Sequence, residues 1–95
     1  MKKTEKHLLC FATDNDGQLF IHADAAGLDL LIKSLNNIRN KIDENECDHD
    51  HLMTESWGGH GLSEPTVCEK EGRIINHVKI YGWTEEWAQK HQLKG

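Results

Sequence analysis

The sequence contains few of the residues that cross-link or rigidify very small folds. It has one proline and three cysteines in 95 residues, and aromatic residues make up 6% of the chain. The cysteines, Cys10, Cys47 and Cys68, lie far apart and form no C-x-x-C pair. This spacing argues against a disulfide framework, so we expect reduced thiols.

Long apolar runs are also missing. The longest, such as the run from Leu8 to Ala12, fall far short of the ~18 apolar residues that a membrane span requires. The N-terminal segment M-K-K-T-E-K-H is charged, and the apolar stretch after it is too short for a signal peptide. The sequence therefore predicts a cytoplasmic protein without a membrane partner.

Basic residues are outnumbered by acidic ones. Eleven Lys and Arg residues stand against 16 Asp and Glu residues, which gives a net charge of −5. Nucleic-acid binding needs clustered Lys and Arg, so this balance argues against a nucleic-acid partner. The acidity suits a basic partner protein, and it equally serves solubility alone.

The first half of the chain predicts a hairpin followed by a helix. Residues 5–13 and 18–23 are apolar stretches on either side of Asp16-Gly17, a dipeptide that favours a tight turn. Asp24 is a good helix N-cap, and the helix is expected to run to about Asp43. Apolar residues recur along it at helical spacing and predict one continuous stripe: Leu28, Leu31, Ile32, Leu35, Ile38 and Ile42.

The second half predicts two further strands. Residues 47–55 and 73–83 alternate in character, with the glycine-rich segment W-G-G-H-G between them, and Thr84 could cap a short C-terminal helix. The chain 1–95 is long enough for a single domain. The expected fold is α+β, in the order β-β-α-β-β, with a four-stranded mainly antiparallel sheet and one long helix on one face. The uncovered face would display alternate strand residues, which in the later hairpin include His49, His51, Met53, His77, Lys79 and Tyr81.

Histidines and cysteines on this uncovered face suggest a metal site. Cys47, His49 and His51 alternate along one strand, and His77 could lie across from them. Successive same-face residues on a strand are ~6.6–7 Å apart, which makes three ligands in a row awkward. A small metal-binding domain using Cys47, His49, His51 and His77 remains an alternative.

The remaining patterns do not favour an enzyme. Cys47 or Cys68 beside a histidine could act as a nucleophile, but no nucleophile turn accompanies either thiol. His51 and Glu55 share a strand face ~13 Å apart, too far for direct acid–base cooperation. The glycine loop lacks the Gly-Lys-Ser/Thr signature of a phosphate cradle. We therefore expect no catalytic residues and no cofactor.

Three segments carry a family resemblance. H-L-M-T-E-S-W-G-G at His51–Gly59, followed by L-S at Leu62–Ser63, resembles the core motif of a small immunity-protein family from bacterial polymorphic toxin systems. I-N-H-V-K-I-Y-G-W at Ile75–Trp83 resembles that family's closing strand, and G-L-D-L-L-I-K-S-L at Gly27–Leu35 its central helix. His60-Gly61 departs from the family pattern by extending the glycine loop.

The resemblance implies a non-enzymatic cytoplasmic protein that binds and blocks a cognate toxin domain. On that hypothesis the uncovered sheet face and the Trp57–Leu62 loop meet the toxin, and Trp57 and Tyr81 are the expected anchors. The partner-binding set comprises Asp48, Asp50, Glu55, Trp57, His60 and Tyr81, the carboxylates meeting a basic toxin surface. A Trp57 that packs inward would not be an anchor. A homodimeric structural module, paired through strand edges or the open face, is a further alternative.

Overall fold

In the computed structural model, residues 7–42, 47–65 and 72–93 are described. Within these ranges the chain forms an α+β fold with strands β1 (Leu9–Thr13) and β2 (Leu19–Ala23), helix α1 (Ala25–Lys41), strands β3 (Cys47–Thr54), β4 (Gly61–Leu62), β5 (Arg73–Ile74) and β6 (His77–Trp83), and helix α2 (Glu85–Lys90). Among these residues no helix is both long and apolar enough to cross a bilayer.

The predicted single four-stranded sheet is wrong in its details. The six strands form two three-stranded sheets, with the orders β2-β1-β5 and β4-β3-β6. The two predicted strand pairs, β1 with β2 and β3 with β6, are antiparallel as expected, whereas β4 runs parallel to β3. Two very short strands, β4 and β5, create the difference, because two residues carry no alternation that a sequence pattern could reveal.

The predicted strand 73–83 is divided between the two sheets. Its beginning, β5, pairs with β1, and the Ile75 N–H still donates to the Phe11 carbonyl at 2.7 Å. At Asn76 the chain changes partner: the Asn76 carbonyl accepts from the Thr54 N–H at 3.0 Å, and its side-chain carbonyl accepts from the Thr54 hydroxyl at 2.8 Å. These bonds satisfy the polar groups of the fully buried Thr54 at the crossing.

The hairpin turn and both helix caps form where the sequence places them. Asp14 accepts from the N–H groups of Asp16 and Gln18, and Gly17 takes the left-handed conformation with φ 87°. Asp24 caps α1 by accepting from the Gly27 N–H at 2.7 Å, which holds the pKa of its carboxyl below the usual value. Thr84 likewise caps α2.

The apolar stripe of α1 does not all face the sheet. Leu28, Ile32 and Leu35 are about half exposed, whereas the buried positions of the helix are Gly27, Ser34 and Ile38. The reason is close packing: a Cβ on Gly27 would lie 1.7 Å from the Leu8 carbonyl oxygen. The helix therefore approaches the strands closely at its small residues. Leu30 and Leu31 pack against the core, whereas Leu28, Ile32 and Leu35 remain about half exposed.

One buried cluster connects the two sheets. Leu9 and Phe11 of β1 pack with Leu52 of β3 and Leu62 of β4. Ser63 fixes this junction, because its N–H donates to the Leu9 carbonyl at 2.8 Å and its hydroxyl accepts from the Leu9 N–H at 2.9 Å. The core thus lies beneath α1 and leaves the other face of β3 and β6 uncovered.

The expectation of three reduced thiols is contradicted at Cys10. This residue is fully buried in β1 and is disulfide-bonded. Its partner sulfur lies outside the described side chains, as do the Cys47 side chain and the whole of Cys68. Sequence spacing could not reveal the bond, because folding can bring together cysteines that are distant in the chain.

Candidate functional site: an aromatic stripe on the open sheet face

Alternate residues of β3 and β6 project to the face that α1 does not cover. The register pairs His49 with Tyr81 and His51 with Lys79. The intervening residues, Leu52 and Ile80, belong to the core or pack against it. This arrangement confirms the predicted division of the two strands into a helix-facing set and an open set.

Ring side chains on the open face form one continuous line, here called the aromatic stripe. Each ring centroid lies 4.7–6.5 Å from the next, a range in which aromatic rings interact favourably. In spatial order the stripe consists of Trp57, His77, His51, His49, Tyr81, Trp83, His91 and Trp87. It therefore runs from the turn after β3, across the sheet, to α2.

Two expected anchors stand at exposed points of the stripe. Trp57 is 60% exposed and Tyr81 is 49% exposed. Trp57 does not pack inward, so it meets the condition set for an anchor. The Lys79 ammonium lies 5.7 Å from the Tyr81 ring centroid, and the Lys90 ammonium lies 4.6 Å from the Trp87 ring centroid. Both lysines therefore make cation–π contacts with rings of the stripe.

A hydrogen-bonded histidine pair forms the middle of the stripe. The Nδ1 atom of His51 lies 2.8 Å from Nε2 of His77, so one ring must donate a proton and the other must accept. Partial desolvation lowers the pKa of His51 below its usual value, and the neighbouring His49, His77 and Lys79 lower it further, while Asp50 opposes them. The surroundings of His51 therefore favour its neutral form.

The glycine loop that presents Trp57 is folded tightly against β3. A short 3₁₀ turn at Glu55–Trp57 ends at Gly58, whose φ of 82° is the left-handed conformation that glycine adopts readily. A Cβ on Gly59 would come within 2.4 Å of the Met53 Cβ, so this position has room only for glycine. The loop glycines thus allow the chain to return beside β3 while Trp57 points outward.

The structure does not bring the expected partner-binding carboxylates onto the stripe. Asp50 faces α1, where its carboxylate accepts a hydrogen bond from the buried Ser34 hydroxyl. That bond holds the Asp50 pKa below its usual value, with a smaller contribution from the His51 N–H. Asp48 alternates with His49 and so shares the strand face of Asp50.

Glu55 and His60 line a separate concavity at the edge of the stripe. Its volume is about 400 Å³, and its other walls are His7, Gly61, Leu62, Ser63 and Glu64. His7 is held there by a 2.8 Å hydrogen bond between Nε2 and the Gly61 carbonyl. The six expected partner-binding residues therefore divide into two on the stripe, two on the helix side and two at this concavity.

The candidate metal ligands are only partly assembled. His51 and His77 touch, and the His49 ring lies 4.8 Å from that of His51. Within the described ranges no three histidine, cysteine, aspartate or glutamate side chains are arranged to hold a metal ion. The Cys47 side chain is not among the described side chains, so the structure gives no information on its predicted part in a metal site.

Sequence reasoning missed the C-terminal end of the stripe. Trp87 and His91 lie four residues apart, a spacing that places them on one side of a helix, and their rings meet at 4.7 Å. Trp83 joins them to β6 through its 5.7 Å contact with His91. The helical spacing of Trp87 and His91 could be recognised in the sequence. The contact of α2 with the open sheet face could not be predicted from it.

Comparison with known proteins places the chain in a family. No curated protein and no solved structure matches it. A family model described as immunity protein 32 matches residues 18–78, which is more than half of the chain. The matched segment extends from the turn before β2 to the second residue of β6, so it includes α1, β3 and the glycine loop. The resemblance to an immunity-protein family is thereby confirmed, and the chain belongs to the immunity protein 32 family.

Proposed function

We propose that this protein neutralises a cognate bacterial toxin by binding the toxin domain in the cytoplasm, without catalysing a reaction. Membership of the immunity protein 32 family supports the toxin as the partner. The observation that carries the proposal is the exposed aromatic stripe on the sheet face opposite α1. Aromatic side chains supply large contact areas at low entropic cost, and they dominate binding hot spots.

The anchors in this proposal are Trp57 and Tyr81. Trp57 lies in the 3₁₀ turn that ends at Gly58, and Tyr81 lies near the centre of β6. Glu55 and His60, beside Trp57, would form the rim of the interface. Asp50 is assigned to the support of α1 rather than to the toxin, because Ser34 already engages its carboxylate.

Rescue of growth tests the function. The toxin domain encoded by the gene beside this one should arrest growth when expressed alone, and co-expression with this protein should restore it. The purified proteins should form a complex. Absence of both rescue and complex would contradict the proposal.

Alanine variants test the surface. Trp57→Ala and Tyr81→Ala should each weaken the complex at least about tenfold, as expected when a hot-spot residue is truncated. Leu28→Ala and Ile32→Ala on α1 are matched controls, since their side chains are 48% and 53% exposed on the opposite side of the sheet. If the α1 variants weaken the complex and the stripe variants do not, the assigned face is wrong.

A further inference from the structure

Strand β6 lies at the outer edge of its sheet. In the order β4-β3-β6 it pairs with β3, and within the described ranges no other strand pairs with it. It is seven residues long and contains no proline. Such an edge presents a row of backbone donors and acceptors to which another strand can be added.

Hydrogen-bond alternation identifies which residues present those groups. The Thr54 N–H bonds the Asn76 carbonyl, so in this antiparallel register Val78 and Ile80 also direct their backbone groups toward β3. The Met53 N–H confirms the alternation, because it points the other way, to the His60 carbonyl at 3.1 Å. His77, Lys79, Tyr81 and Trp83 therefore direct their backbone N–H and C=O groups to the free edge.

The same residues contribute their side chains to the stripe. His77, Tyr81 and Trp83 are members of it, and the Lys79 ammonium lies over the Tyr81 ring. An extended segment laid along β6 would thus meet the backbone groups and the stripe together. Main-chain bonds at an edge supply affinity, and alternate side chains supply specificity.

The lysines on this surface contrast with the acidic balance of the whole protein. The chain carries −5, but the ammonium groups of Lys79 and Lys90 lie over rings of the stripe, and its four histidines offer ring nitrogens for hydrogen bonds. Glu86, which shares a concavity with Trp87 and Lys90, lies at its far end. Carboxylates on a docking strand would complement this surface, whereas a second copy of β6 would bring Lys79 and the histidines against themselves.

We propose that the toxin docks by adding an extended strand to the free edge of β6, with carboxylate side chains of that strand facing Lys79 and the histidines of the stripe. This inference rests on the proposed function and specifies the binding mode of the same surface. It replaces the expected pairing of acidic residues of this protein with a basic toxin surface.

Residue-resolved amide exchange tests the binding mode. The probe is the catalytically inactivated toxin domain encoded by the neighbouring gene, added to isotope-labelled protein. In the free protein, the N–H groups of Lys79 and Tyr81 should exchange rapidly, and those of Val78 and Ile80 slowly. In the complex, exchange at Lys79 and Tyr81 should slow at least about tenfold, because these groups become hydrogen-bonded.

A charge exchange tests the acidic character of the partner strand. Lys79→Glu should weaken the complex at least about tenfold, and Lys33→Glu on α1, which changes the net charge equally, should leave it unchanged. Binding of Lys79→Glu as tight as wild type would overturn the carboxylate assignment. Thermal unfolding of both variants establishes that each is folded.

The outcomes separate the two proposals. A stable complex without added protection at Lys79 and Tyr81 would overturn strand addition and leave the immunity function standing. No complex at all would overturn both. Slow exchange at these two amides in the protein alone, together with a dimeric solution mass, would assign the edge to a second copy and overturn the inference.

Discussion

At the scale of single residues, the contact between Asp50 and Ser34 links strand β3 to helix α1. Asp50 lies on the strand face that α1 covers, and the Ser34 hydroxyl donates to its carboxylate. Ser34→Ala should lower the free energy of unfolding by about 1–3 kcal/mol near pH 7, since it removes a hydrogen bond to a charged group. Chemical denaturation of the two proteins measures the difference.

Ser56 offers a matched control for this substitution. Its hydroxyl also donates to a carboxylate, that of Glu64 at 2.7 Å, but on an exposed turn. Ser56→Ala should change stability by less than about 0.5 kcal/mol. The Ser34 hydrogen bond lowers the pKa of Asp50 in the folded state. The stability that this bond contributes is therefore fully present above the unfolded-state Asp pKa of about 4, and it is lost as pH falls through the folded-state pKa of Asp50. A Ser34→Ala effect that persists undiminished at pH 2 would contradict this account.

The histidine pair predicts a pH dependence of stability. The folded-state pKa of His51 lies below the unfolded value of about 6.5, so the unfolded chain binds the proton more readily. As pH falls through that value, the protein should therefore lose stability. The melting temperature should fall between pH 7.5 and pH 5.5, and it should fall less in His51→Gln. Equal slopes in the wild-type protein and in His51→Gln would contradict the assignment.

At the scale of elements, Gly82 determines how closely α1 approaches the sheet. A Cβ at this position would lie 2.3 Å from Cγ2 of Ile38 and 3.0 Å from Cγ2 of Ile42. Gly82→Ala should lower the free energy of unfolding by about 1–3 kcal/mol through overpacking. In combination with Ile38→Ala, which removes the nearer methyl group, the loss should be smaller than the sum of the two single losses.

A double-mutant cycle in chemical denaturation measures that coupling. Gly17→Ala in the β1–β2 turn is the comparison, because no atom lies within 4 Å of its added Cβ. Its effect should add to that of Ile38→Ala within about 0.5 kcal/mol. Additivity of Gly82→Ala with Ile38→Ala would show that the close approach has no energetic consequence.

The elements also show which parts of the fold could be predicted from local pattern. The hairpin, its Asp16-Gly17 turn and the capped α1 follow from signals carried within a few residues. The division of residues 73–83 at Asn76 could not be predicted. The segment pairs first with β1 and then with β3, and no change in its sequence pattern marks the exchange of partner strand. Likewise, the half-exposed leucines of α1 depend on close contacts that Gly27 and Gly82 allow at distant points of the chain.

At the scale of the whole molecule, the sequence predicted which face of the sheet carries the candidate site, but not which residues make up that face. Alternation correctly placed His49, His51 and Tyr81 on one side of the sheet. Asp48 and Asp50 were chosen for charge alone, which takes no account of the side to which they point. The net charge of −5 suggested a basic partner, whereas the stripe itself is neutral to basic. Partner chemistry is set by the local surface rather than by the sum over the chain.

The disulfide at Cys10 affects the stability of the whole molecule. A cross-link stabilises the fold mainly because it restricts the conformations of the unfolded chain. Reductant should lower the free energy of unfolding of the wild-type protein by about 2–4 kcal/mol and have no such effect on Cys10→Ser. In denatured, unreduced protein, alkylation should modify one of the three cysteines. Modification of all three would contradict the bond.

This bond also bears on where the protein can act. The cytoplasm keeps most thiols reduced, so immunity there requires that the reduced chain remain folded. The buried cluster of Leu9, Phe11, Leu52 and Leu62 contains no cysteine. We therefore expect reduced protein to unfold in one cooperative thermal transition above growth temperature. A reduced chain already unfolded at that temperature would contradict cytoplasmic action and place the working protein in an oxidising compartment.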